Sequence, residues 1–103
     1  MPQRMKVRFT VQAETDIIDS YLYGFENFGR DQADRYEAGL RRAIDIIAAS
    51  PQIAAERREY DPPVRLHHHA KHYIVYLISE AHIVVVRVLR DEVDLRRHLG
   101  TEA

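Results

Sequence analysis

Apolar positions along this chain recur in two rhythms. From residue 11 to residue 49 the rhythm is helical. Over Val11–Phe28, Ala13, Ile17, Tyr21, Phe25 and Phe28 return every three or four residues, and Ile18 and Leu22 widen the stripe. Glu14, Asp16 and Asp19 sit early, where negative charge suits the positive end of a helix. Gly29 ends this segment. A second stripe follows over Arg30–Ala49: Ala33, Tyr36, Leu40, Ala43, Ile44 and Ile47. Ser50-Pro51 stops it. Two amphipathic helices joined at one glycine fold back as a helical hairpin. Gly24 and Gly39 lie inside the helices at a cost of about 1 kcal/mol each relative to alanine, so close approach of a neighbour is expected there.

Elsewhere the rhythm has period two. Residues 6–10 form a short strand with Val7 and Phe9 on one face, and Thr10 is placed to cap the following helix. Residues 52–63 are a polar connector, which Pro62-Pro63 leads into extended backbone. Val64–His69 alternates as a second strand, and a hairpin at 69–72 leads into the third. Residues 73–89 read as two long apolar strands around a turn at Glu80 and Ala81. The charged tail 90–103 has one helical turn within 94–99. The layout is β-α-α-β-β-β. The fold class is α+β: a helical hairpin on one face of a mostly antiparallel four-stranded sheet, with a short C-terminal helical tail, in one domain over 1–103.

Strict alternation puts Val84, Val86 and Val88 on one face of the last strand, and Ile83, Val85 and Leu89 on the other. Strands apolar on both sides need cover on both sides. The hairpin covers one face, and only a short polar tail remains for the other. That second face is expected to be bare and to receive a protein partner on Tyr73, Val75, Ile83 and Val85, with Arg87 its polar exception.

Composition narrows the function classes. There is no cysteine, which excludes disulfides, thiol nucleophiles and Cys-based zinc sites. A cytoplasmic location is expected. No apolar run reaches the roughly 18 residues of a membrane span, and the N-terminus lacks the apolar core of a signal peptide. Net charge is −1, with seven basic against eight acidic residues before position 51 and eight against eight after it. That balance does not suit a protein gripping nucleic-acid backbone. His67 and His69 share a strand face and His72 lies across the hairpin, so a three-histidine metal site was weighed. No nearby carboxylate orients such ligands, and no metal or cofactor is expected. No nucleophile elbow, phosphate loop or metalloprotease motif occurs, and no catalytic residue is assigned. Arg65, Arg87, Arg90, Arg96 and Arg97 make a modest basic cluster if the sheet gathers them, with pairing to Asp91, Glu92 and Asp94 as the plainer outcome.

The segments VRFTVQAETDI, FGRDQADRY, AGLRRAIDIIAASPQIA, VRLHHHAKHYIVYLI and VVVRVLRDEVDLRRHL, in that order and spacing, resemble the ParE branch of the RelE/ParE toxin superfamily. The resemblance covers nearly the whole chain. It implies the layout derived above and the toxin half of a type II toxin–antitoxin pair. ParE-like members poison DNA gyrase by binding it. RelE-like relatives cut messenger RNA on the ribosome, for which Arg65, Arg87, Arg90 and His98 would be the candidates here. The near-neutral charge and the absence of a tail tyrosine favour the ParE branch and a binding protein over an enzyme. The expected partners are a ParD-like antitoxin, which alone contacts DNA, and gyrase, met by Arg65, Arg90, Arg96, Arg97 and His98. No membrane partner is expected. Many members read VLH-x-R-x-D after the last strand; here Arg90 replaces the histidine and Glu92 the arginine, while Asp94, His98 and Leu99 fit.

Overall fold

The structure, a computed structural model, describes residues 4–100. Along the chain run β1 (Lys6–Phe9), α1 (Val11–Phe28), α2 (Arg30–Ala49), β2 (Glu56–Arg57), β3 (Val64–His69), β4 (His72–Ser79), β5 (His82–Arg90) and α3 (Leu95–His98). The sheet order is β1-β5-β4-β3-β2. The first strand is parallel to β5, and every other pairing is antiparallel. The α+β class, the helical hairpin and the short terminal helix are as the sequence predicts, but the sheet has five strands rather than four. The extra one is two charged residues of the 52–63 connector, with Glu56 opposite Arg65 and Arg57 opposite Val64. A strand this short and polar covers an edge without offering a long new one.

Both helices have the predicted bounds. Gly29 joins them at φ 88°, a left-handed conformation that costs a side-chain-bearing residue. Gly39 packs under the His69 ring, where an added Cβ would lie 3.2 Å from Nε2. Burial separates the two stripes. Of the second, Ala33, Leu40, Ala43, Ile44 and Ile47 are buried and Tyr36 half-buried; of the first, only Ala13 is buried. The hairpin therefore rests on the sheet mainly through α2.

The other helix instead lines the edge of β5. The parallel pairing ends at Phe9 opposite Val85, leaving the rest of β5 without a strand on that side. Helix α1 takes over. Thr10 N donates to Val85 O at 3.0 Å and its hydroxyl donates to Val86 O at 2.7 Å. The same hydroxyl accepts from Ala13 N at 3.0 Å, capping the helix. One turn on, Asp16 Oδ2 accepts from Val88 N at 2.9 Å. Edge carbonyls and an amide of β5 are thus met by Thr10 and Asp16 in place of a longer β1.

A bulge sits at the same place. Val75 pairs with Arg87 and Tyr76 with Val85, so Val86 has no opposite number. The extra residue shifts the alternation by one. Val88 joins Ile83 and Val85 in the cluster under the helices, with Ile74, Tyr76, Leu40, Ile44 and Ile47, while Leu89 joins Val86 on the far side. Strict alternation had placed Leu89 with Ile83 and Val85, and the bulge reverses it.

The far side is also covered, which overturns the bare face expected from the sequence. Tyr60, Val64, Val75, Leu89 and Leu99 form a second buried cluster, with Leu66, Tyr73, Val93 and Leu95 packed against it. The tail that reads as polar carries Val93, Leu95 and Leu99 at spacings that one helical turn turns inward. Asp61 N donates to Gly100 O at 2.6 Å, tying that tail to the connector.

Arg87 closes the edge. Its Nε and Nη2 donate to the two carboxylate oxygens of Asp16 at 2.8 and 3.1 Å, with the side chains 21% and 14% exposed. It is a structural partner of α1 rather than part of a free surface. Arg87→Ala should cost about 1–2 kcal/mol in urea denaturation. Asp16→Ala should cost roughly 1 kcal/mol more, because it also strips the Val88 amide of its acceptor, and Asp16→Asn should regain that difference. A double-mutant cycle showing no coupling would remove this assignment.

Candidate functional site

The predicted partner-binding residues do not form a surface. Val75, Ile83 and Val85 are fully buried, Ile83 and Val85 beneath the helices and Val75 beneath the tail. Tyr73 packs at the margin of the second cluster, and Arg87 is held by Asp16. The predicted target-binding residues divide as well. Arg65 Nη1 donates to Ala54 O at 2.6 Å and so braces the connector. Arg90 Nε lies 3.0 Å from Glu92 Oε1, and its guanidinium lies 5.3 Å from the Tyr23 ring centre. Arg96, Arg97 and His98 remain together and exposed on α3, whose first turn Asp94 caps by accepting from Arg96 N at 3.0 Å. The fold therefore groups three of these five side chains.

The histidines are sorted by strand register. His67 opposes Ile74 and His69 opposes His72, so these three lie on the helix-facing side; His68 faces the other way and meets Asp91 at 2.9 Å. No group of three or more His, Cys, Asp or Glu residues is placed to hold a metal ion among the described residues. Two of the inward histidines, His69 and His72, pack against Tyr36 instead. Its ring lies 5.9 Å from His69 and 5.3 Å from His72, edge-on to both, and its hydroxyl is bonded to His72 Nδ1. Burial pushes the His72 pKa below the ordinary histidine value, and the Arg90 charge adds to that. Burial also lowers His67 and His69, with help from His69 and Arg42 respectively. The Tyr36 hydroxyl is pushed up by burial.

Two features escape the sequence reading. One is the outward face of α1. Ile18, Leu22 and Phe25, spaced four and three apart, are 58, 50 and 47% exposed, with Val11 in line beyond them. The signal was present: the apolar arc of α1 is wider than one sheet contact uses, and Ile18 and Leu22 are what widen it. The other is a cavity under the hairpin, where Tyr23, Phe28 and Tyr36 face Lys71, His72 and Arg90. It joins residues far apart in the chain, and no motif announces it. No helix among the described residues is long and apolar enough to cross a membrane.

Comparison with known proteins agrees with this geometry. The family model for the ParE toxin of the type II toxin–antitoxin system parDE matches residues 7–95. A Toxin ParE1 of Mycobacterium tuberculosis is 37% identical over 76 residues, covering 73% of this chain and 78% of that one. A Toxin ParE1 of Caulobacter vibrioides is 26% identical over 93 residues, covering 90% and 96%. Among solved structures, a chain of the chromosomal ParDE TA system from P. aeruginosa superposes with a TM-score of 0.73 at 18% identity, over 86% of this chain and 98% of that one. That last likeness concerns the fold.

The inward histidines give stability a pH dependence of known sign. Their folded pKa values lie below the ordinary value of about 6.5, so below that pH the unfolded chain binds more protons. Stability present above about pH 6.5 is lost as pH falls toward the lower folded values. The urea midpoint should drop between about pH 7.5 and pH 5, and His72→Gln should flatten part of that slope. An unchanged midpoint would mean that these rings are not held neutral.

Proposed function

The chain belongs to the ParE toxin family of type II toxin–antitoxin systems, and from that premise we propose that it inhibits DNA gyrase by direct binding and is neutralised by a ParD-like antitoxin. Residues 1–103 act as one toxin domain in the bacterial cytoplasm, and DNA is contacted only through the antitoxin. The observation that carries the antitoxin half is the outward face of α1. Ile18, Leu22 and Phe25 form a half-exposed apolar stripe that no other part of the described chain covers. Burying the exposed half of each is worth about 1 kcal/mol, which suits the apolar side of an amphipathic segment laid along the helix. An antitoxin tail that orders on binding has the reach to follow it. This stripe replaces the set Tyr73, Val75, Ile83, Val85 and Arg87 as the docking surface.

The target half rests on family membership and on α3. Arg96, Arg97 and His98 project from a turn fixed by Asp94 and anchored by Leu99 in the second cluster. They form the compact basic surface offered to gyrase. Arg65, bonded to Ala54 O, and Arg90, which lines the cavity under the hairpin, are not part of it. The same pairings weigh against messenger-RNA cleavage: of Arg65, Arg87, Arg90 and His98, the three arginines are engaged at three separate places.

Purified protein added to a gyrase supercoiling reaction should block supercoiling or trap cleaved DNA. No effect at concentrations that stop growth, together with new messenger-RNA 5′ ends after induction, would replace this reading with the nuclease one. Leu22→Lys with Phe25→Lys should weaken antitoxin binding by about a hundredfold or more and leave the circular dichroism unchanged. Arg96→Glu with Arg97→Glu should spare antitoxin binding and relieve gyrase inhibition.

A further inference from the structure

We propose that the cavity beneath the helical hairpin is a binding site for small aromatic anions. The cavity measures about 300 Å³, the lower end of the range for small-ligand sites. It opens where the hairpin turn overhangs the β3–β4 turn and the end of β5. Its two ends differ in chemistry. The helix end is apolar and floored by small residues: Gly24 lies over Ala33, so a flat body can enter between the rings of Phe28 and Tyr36. The sheet end carries Lys71, His72 and Arg90.

Arg90 Nε is buried, 3.0 Å from Glu92 Oε1, so the part of the side chain that can meet a ligand is the outer end of the guanidinium. The guanidinium lies 5.3 Å from the centre of the Tyr23 ring, which helps to hold its orientation. The Tyr36 hydroxyl is bonded to His72 Nδ1, so Nε2 is the ring nitrogen outside that contact. Glu37 is the carboxylate lining the cavity, against the two cations Lys71 and Arg90. A carboxylate or phosphate meets a guanidinium, an ammonium and an imidazole, while its aromatic body meets rings and apolar floor. The cavity takes Ile17, Gly24 and Phe28 from α1, an arc distinct from the exposed Ile18, Leu22 and Phe25. The two arcs adjoin at Tyr21, which lines the cavity and lies 6.4 Å, ring centre to ring centre, from Phe25.

The test is a titration of the full-length ¹⁵N-labelled chain with phenylacetate, with phenethyl alcohol and phenethylamine as neutral and cationic counterparts. Phenylacetate should give saturable shifts at the amides of Gly24, Lys71, His72 and Arg90, and each counterpart should bind at least about tenfold more weakly. Phenyl phosphate forms a second arm: tighter binding than phenylacetate identifies phosphate as the preferred anion, and weaker binding identifies carboxylate. Arg90→Leu should abolish the preference for anions over the alcohol, and Arg90→Lys should keep part of it. Gly24→Ala checks the cavity without touching charge. Its Cβ would meet Ala33 at 3.6 Å, an ordinary contact, so the variant should fold and weaken all the ligands together. Amine binding as tight as phenylacetate binding, shifts confined to other surfaces, or no shifts with any probe would overturn the proposal.

Discussion

One carboxylate sets the relation between the helical layer and the sheet. Asp16 accepts from the backbone of β5 at Val88 and from the guanidinium of Arg87, nearly two helical turns after Thr10 has been fastened to the same strand. Polar groups at a half-paired edge are costly if left alone and worth little if met by water. Meeting them from α1 fixes that helix in height and direction along the strand. The hairpin partner follows, because Gly29 leaves no slack between the helices. Which side of α1 faces outward is therefore decided at its first two turns, and the exposed Ile18, Leu22 and Phe25 are a consequence.

The bulge belongs to the same arrangement. An extra residue at Val86 moves Val88 under the helices and brings its amide to Asp16, while Leu89 is released to the far cluster. Without it, β5 would carry the opposite face pattern beyond Val85, and the tail would lose the apolar partner on which Leu99 packs. One inserted position thus serves two cores at once. It also leaves the far face to the tail rather than to solvent.

Much of this fold is legible from residue order. The helical spans can be read because 18- and 20-residue periodic segments bounded by threonine, glycine and proline leave few alternatives. The three-stranded meander can be read from its apolar runs and turns. Three things resist. The strand Glu56–Arg57 has only two polar residues and exists through its neighbour. The bulge has no glycine or proline to mark it, so parity was carried one step too far. The inward tail depends on Val93, Leu95 and Leu99, which look isolated among charges until one helical turn gathers them. The candidate sites suffered from the same errors, since a face assignment wrong by one residue turns core into surface. Arg96, Arg97 and His98 stay together and exposed because they are neighbours in sequence.

The strand order carries a consequence for how the molecule comes into being. Lys6 pairs with His82 and Phe9 with Val85, so the first strand to leave the ribosome waits for the last before it has a neighbour. The hairpin of α1 and α2 is local and can form as soon as it emerges; the sheet beneath it cannot. During synthesis the outward face of α1 therefore exists before the basic turn of α3 has been made. A partner that reads only that helix would find its surface on the nascent chain before the sheet beneath it is complete.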